Sequence, residues 1–222
     1  MTTRVPAASR LGIVSDRRRL AAAAGRPLHN APALLAAQVA AAAACGVGFF
    51  QLREPDLGGA ALLDLTVHLL AVASGRTRIV VNDRADVAAA AGAAVHLRHA
   101  SMPAAAVRPW VPPGTWMTRA VHAVPDVRAA GPVDALIAGT AAATVSKPAG
   151  SHTLGPDGLA AIVAASPVPV FAIGGLGPAQ WRWVAASGAF GMAAIGLFLP
   201  RPGEDPGAAV RRAVDECCTV ID

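Results

Sequence analysis

Short apolar runs and longer alanine- and leucine-rich stretches alternate along the whole chain. The runs are LGIVS (11–15), GVGFFQL (46–52), RIVVN (78–82), AAVHL (93–97), TWMTRAV (115–121), DALIA (134–138), PVFAIG (169–174) and GMAAIG (191–196). Most are apolar almost throughout, the pattern of parallel strands buried on both faces. Between them the spacing predicts helices over 32–44, 59–73, 84–91, 157–166, 178–187 and 205–218. Helix-start punctuation recurs at Pro32, at Asp126 after Pro125 and at Pro178 after Gly177. Eight strand–helix units predict an α/β chain folded as a (β/α)8 TIM barrel, one domain over 1–222, a little shorter than the usual ~250 residues. The alternative, a doubly wound open sheet, would carry a glycine-rich turn after its first strand, and none follows LGIVS.

Composition changes this picture little. Of 222 residues, 54% are hydrophobic and 15% charged, ample for a buried core. The net charge of +5 raises nucleic acid as a partner. The arginines are scattered, however, and the cluster Arg17-Arg18-Arg19 falls in an expected loop without interleaved aromatics, so no nucleic-acid partner is expected. A basic balance also suits small anionic substrates. Residues 31–50 are apolar enough to raise a membrane span, but Pro32, Gln38, Gly46 and Gly48 divide them into a helix and a strand. No membrane partner is expected. Cys45, Cys217 and Cys218 lack disulfide or metal spacing, and the N-terminus reads as no signal peptide, so a reduced, cytoplasmic chain is expected.

The polar residues collect where barrel chemistry takes place, at the C-terminal ends of the strands. Gln51 and Arg53 follow the second strand, Asn82 and Asp83 the third, and Arg98 and His99 the fourth. His122 closes the fifth; Gly174-Gly175 and Gly196 close the seventh and eighth. The loop after the sixth runs to Lys147, the one lysine beside 18 arginines. Its Thr144, Ser146 and Lys147 offer hydroxyls and an ammonium to a phosphate, although a plain surface loop would also accommodate them. The glycines after strands seven and eight either expose backbone N–H groups to phosphate or serve a tight turn. Arg53 either clamps an anion or pairs with Glu54 or Asp83. Asp83 either carries a magnesium ion or caps the next helix. His122 is the general acid/base candidate, and His96, inside an apolar strand, reads as a hydrogen-bonded core residue.

Together QLRE, VNDRADVA, VHL, AVHA, the Thr-x-Ser-Lys loop and PVFAIGGL resemble the thiamine phosphate synthase/TenI family. That resemblance implies a barrel of thiamine biosynthesis. Synthase members join a pyrimidine diphosphate to a thiazole phosphate with Mg²⁺ and release pyrophosphate. TenI members tautomerise a thiazole carboxylate phosphate without metal.

The chain departs from the synthase pattern at several positions. Pro55 stands at the lysine of Q-x-R-[ED]-K. In HLRHAS, Ser101 stands at the aspartate of H-L-G-Q-x-D and Arg98 at its glycine. Ala142 replaces an aromatic residue, and Gly196 a serine.

The resemblance therefore implies a TenI-like tautomerase without a cofactor, acting on a small phosphorylated thiazole. His122 would move the proton. Gln51, Arg53, Asn82, Thr144, Ser146, Lys147, Gly174, Gly175 and Gly196 would bind substrate. A divergent synthase, with Asp83 on Mg²⁺, and a non-catalytic thiazole phosphate binder are the alternatives. Family barrels often associate, which leaves a homo-oligomer open.

Overall fold

A computed structural model describes residues 6–144, 148, 150 and 152–219. Eight parallel strands close into a barrel in chain order: β1 (Leu11–Val14), β2 (Phe49–Leu52), β3 (Arg78–Asn82), β4 (Ala94–Leu97), β5 (Met117–Val121), β6 (Ala135–Gly139), β7 (Val170–Ile173) and β8 (Gly191–Ala194). Each falls inside an expected run, except that β6 ends one residue beyond its run. The helices are α1 (Arg17–Ala23), α2 (Ala31–Cys45), α3 (Gly59–Ala73), α4 (Ala85–Ala91), α5 (Ala104–Val107), α6 (Val124–Ala129), α7 (Gly155–Ala165), α8 (Pro178–Ala186) and α9 (Pro206–Cys218).

The two-residue period of each strand divides the core. Ile13, Phe50, Leu52, Val81, Val95 and Leu136 face the helices. Val14, Phe49, Val80, Ala94, Ile137 and Phe171 fill the barrel. The interior is plugged by aromatic rings, Phe49 meeting Phe171 edge-on at 5.2 Å. Gly12 makes room for that plug, because a Cβ there would lie 2.1 Å from the Phe49 ring.

One feature differs from expectation. Arg17–Arg19 lie in a helix, not a loop: Asp16 caps α1 by accepting from Arg19 N at 3.0 Å. Leu20 and Ala21 are the buried residues of α1, too short an apolar pattern to read as periodic. The segment Leu28–Cys45 meets the length and apolarity of a membrane span. In the fold α2 packs on α3 and α9, and its buried Gln38 donates to the Phe198 carbonyl at 2.8 Å.

Candidate active site

At the C-terminal mouth, a 400 Å³ cavity brings together His122, Thr144, Gly174, Gly175 and Gly196, with Arg19 on its wall. The β6 exit runs beside β7 here: Ala141 N and Ala142 N donate to the carbonyls of Ile173 and Gly174 at 2.8 and 2.9 Å. Gly174 and Gly175 take φ of +101° and +66°. A Cβ on Gly175 would lie 2.2 Å from the Ala143 carbonyl oxygen, so only glycine lets the two turns approach this closely. Lys147 and Ser146 lie outside the described residues, so their expected phosphate role rests on sequence.

His122 stands at the end of β5, where its backbone N–H donates to Asp126 Oδ2 at 2.7 Å. Its Nδ1 meets the Gly139 carbonyl oxygen, which can only accept. In the neutral ring Nδ1 therefore carries the proton and Nε2 the lone pair, the tautomer a general base needs. His99 lies beside it, ring centroids 5.3 Å apart, with its Nδ1 3.6 Å from Asp126 Oδ2.

A second, 210 Å³ pocket is lined by Arg53, Asn82, Asp83, Arg84 and Arg98. Inside the barrel beside it, buried Gln51 donates through Nε2 to Asn82 Oδ1 at 3.0 Å. Glu54 also lines this pocket, but it is buried and its carboxylate accepts from Ser15 Oγ at 2.5 Å and from Arg17 N and Nη1 at 3.1 and 3.2 Å. Burial raises its pKa despite those donors. Asp83 accepts from Arg98 Nε at 2.6 Å and from the Ser101 hydroxyl. Arg84 pairs with Asp86. Of the alternatives for Arg53, pairing with Glu54 or Asp83 is thus excluded, and its guanidinium has no acidic partner among the described residues. The capping alternative for Asp83 fails as well: Arg84 is the N-cap of α4, which has no side-chain cap.

Among the described residues no all-protein magnesium site is formed. Asp83 is a single carboxylate with each oxygen already taken, and no cluster of three or more His, Cys, Asp or Glu side chains forms a metal site among the described residues. Sequence reasoning missed Arg19 and the Arg98–Asp83–Ser101 cluster. Arg119 holds that cluster's loop by donating to the carbonyls of Met102, His99 and Ser101 at 2.9, 3.0 and 3.1 Å.

His96 faces the barrel interior, its Nδ1 2.8 Å from Thr118 Oγ1 and the residue 5% exposed, the core histidine expected. Burial pushes its pKa down to about 4. In the unfolded chain it binds a proton near pH 6.5, so between those values the unfolded state binds more protons. Stability should be full above pH 6.5 and fall by on the order of 3 kcal/mol as pH drops to 4. Urea titrations across this range should show a shallower fall in His96→Gln; equal slopes would remove His96 as the cause.

A larger cavity of 750 Å³ opens at the N-terminal face, lined in part by Phe49, Trp116, Phe171, Phe190 and Arg78. None of the expected site residues lines it. In this fold, chemistry belongs to the opposite face, so the mouth cavities are the functional candidates.

The fold and these cavities define a (β/α)8 barrel with its candidate site cavities at the strands' C-terminal ends. The sequence pattern of the thiamine monophosphate synthase family, TMP-TENI, matches residues 20–198, and the chain belongs to that family. It is 37% identical over 175 residues to the thiamine biosynthesis bifunctional protein ThiM/ThiE of Symbiobacterium thermophilum, spanning 77% of this chain but 36% of that protein. To the thiamine-phosphate synthase of Anaeromyxobacter dehalogenans it is 36% identical over 179 residues, 79% of this chain and 80% of that protein. The fold is shared with a thiamine phosphate pyrophosphorylase from Pyrococcus furiosus, at TM-score 0.75 and 24% identity over 97% of this chain and 96% of that one. The family and fold implied by the motifs are borne out. The relatives named here are synthases or a bifunctional protein, and none of these names supports the tautomerase branch.

Proposed function

We propose that this chain serves thiamine biosynthesis as a metal-independent tautomerase of a thiazole carboxylate phosphate. The observation that carries the reading is Asp83. Its carboxylate accepts from Arg98 and Ser101, and the other acid lining the pocket, Glu54, accepts from Ser15 and Arg17, so Arg53, Arg84 and Arg98 give the pocket a cationic surface rather than a metal site.

Tautomerisation asks less of the protein than pyrophosphate release. One C–H bond breaks, the π bonds shift into an aromatic ring, and one proton returns elsewhere on the same ligand. His122 Nε2 accepts and returns that proton, while Nδ1 stays donated to Gly139. Arg53 and Asn82, the latter oriented by Gln51, hold the carboxylate. The Gly174–Gly175 turn, Gly196, Thr144, Ser146 and Lys147 receive the phosphate. Cys45, Cys217 and Cys218 form no disulfide, and Cys217 is buried with its thiol pushed up to about 12, which accords with a reducing, cytoplasmic setting.

The synthase reading keeps support from the names of the relatives, and from Arg53, Arg84 and Arg98 around one pocket, whose charge suits a diphosphate. Two assays separate the readings. Purified protein treated with EDTA should convert the carboxylated thiazole phosphate to its aromatic tautomer. With pyrimidine diphosphate, thiazole phosphate and Mg²⁺ it should release no pyrophosphate. Pyrophosphate release that needs both substrates would make it a synthase; binding of thiazole phosphate without either turnover would make it a binding protein.

A further inference from the structure

Three consecutive arginines open α1, and they have three different fates. Arg17 is spent on Glu54 and Asp56, with Nη2 2.9 Å from Asp56 Oδ2. Arg18 reaches the same carboxylate through Nε at 3.0 Å. Arg19 engages no carboxylate among the described residues. Its backbone N–H is bound to the Asp16 cap, which sets the first helical turn, and its half-buried side chain turns into the 400 Å³ mouth cavity. There Nη2 lies 3.6 Å from where a Cβ on Gly196 would sit. With no side chain at 196, the guanidinium and the backbone after β8 face one small volume, across from the Gly174–Gly175 turn.

We propose that Arg19 is a specificity-determining residue of this cavity, a group that selects a phosphate monoester over the corresponding free alcohol. Backbone N–H groups at the two turns can hold a neutral hydroxyl or a phosphate oxygen with little preference. A guanidinium without a counter-ion cannot, because its fork of donors matches two oxygens of a tetrahedral dianion and its charge is met only by an anion. Half-burial strengthens the attraction by displacing water from one side of the pair. The inference rests on the proposed function only in taking a phosphorylated thiazole as the ligand.

Calorimetric titration with thiazole phosphate and with its dephosphorylated alcohol tests it. Arg19→Ala should weaken the phosphate by about 30-fold, the size expected for one lost charge-assisted contact, and leave the alcohol within about two-fold. Arg19→Lys should recover part of the loss, since it restores charge but not the fork. Arg18→Ala removes the same charge from the same turn and should leave the phosphate affinity unchanged. Equal losses for both ligands, no loss at all, or a wild-type protein that binds neither would overturn the proposal. An Arg19-dependent preference for phosphate in a protein that tautomerises nothing would sink the proposed function and leave this inference standing.

Discussion

His122→Ala is expected to lower turnover of the carboxylated thiazole phosphate by about 10³-fold, within the usual range for a lost acid/base. Binding should change by no more than about three-fold, because carboxylate and phosphate are held by other residues. The geometry makes the effect specific. Nδ1 is committed to the Gly139 carbonyl, so one ring nitrogen is fixed as donor and the other is left to take the proton. His122→Asn is the sharper variant: its amide nitrogen stands at the Nδ1 position and can still donate to Gly139, yet it has no basic nitrogen. It should therefore be as inactive as alanine while melting like the wild type. His99, 5.3 Å away between ring centroids, does not replace it, because its own position follows Asp126 on the solvent side. Steady-state kinetics with a thermal melt check the prediction. Turnover retained in both variants would remove His122 from the mechanism and shift the family reading toward a different proton carrier.

Much of the fold was legible because a parallel barrel writes a simple pattern. A strand buried on both faces has to be apolar throughout, and Ile13, Phe50, Val81 and Val95 are outward residues as apolar as their inward neighbours. The strand ends were legible too, since polarity resumes where side chains reach the mouth: Gln51, Asn82 and His122. What could not be read was which neighbour each charge would choose. Asp83 and Ser101 are 18 residues apart and meet only because β3 pairs with β4. Glu54 and Arg53 are adjacent in sequence, yet Glu54 is drawn under α1 by Ser15 and Arg17 while Arg53 keeps its charge for the mouth. Arg19 was hidden for a related reason. A seven-residue helix offers too few apolar positions to show a period, and without the helix there is no way to see that one of three arginines points inward.

Gly175 should be the most costly position in the phosphate half. Gly175→Ala would place a methyl where φ is +66°, a conformation that costs an L residue roughly 1–2 kcal/mol by itself. It would also set that carbon 2.2 Å from the Ala143 carbonyl oxygen and 2.6 Å from that of Ala142. Both obstacles are backbone, so neither can swing aside as a side chain would. The segment after β6 has to move, and with it Thr144. A combined cost of about 3 kcal/mol would lower the melting temperature by roughly 6–12 °C in a chain of this size. Thiazole phosphate affinity should fall at least about 100-fold, because the turn that presents N–H groups and the Ala142–Ala143 backbone packed against it are displaced together. Gly46→Ala provides the control. It has φ of +75° and nothing within 4 Å of the added carbon, so it carries the conformational cost without the collision. It should lose a few degrees of melting temperature and no affinity. If Gly175→Ala behaves in the same way, the glycine serves the turn alone and the phosphate sits elsewhere. If affinity collapses in Gly175→Ala and not in Gly46→Ala, the close approach of the β6 and β7 turns is what builds the anion site.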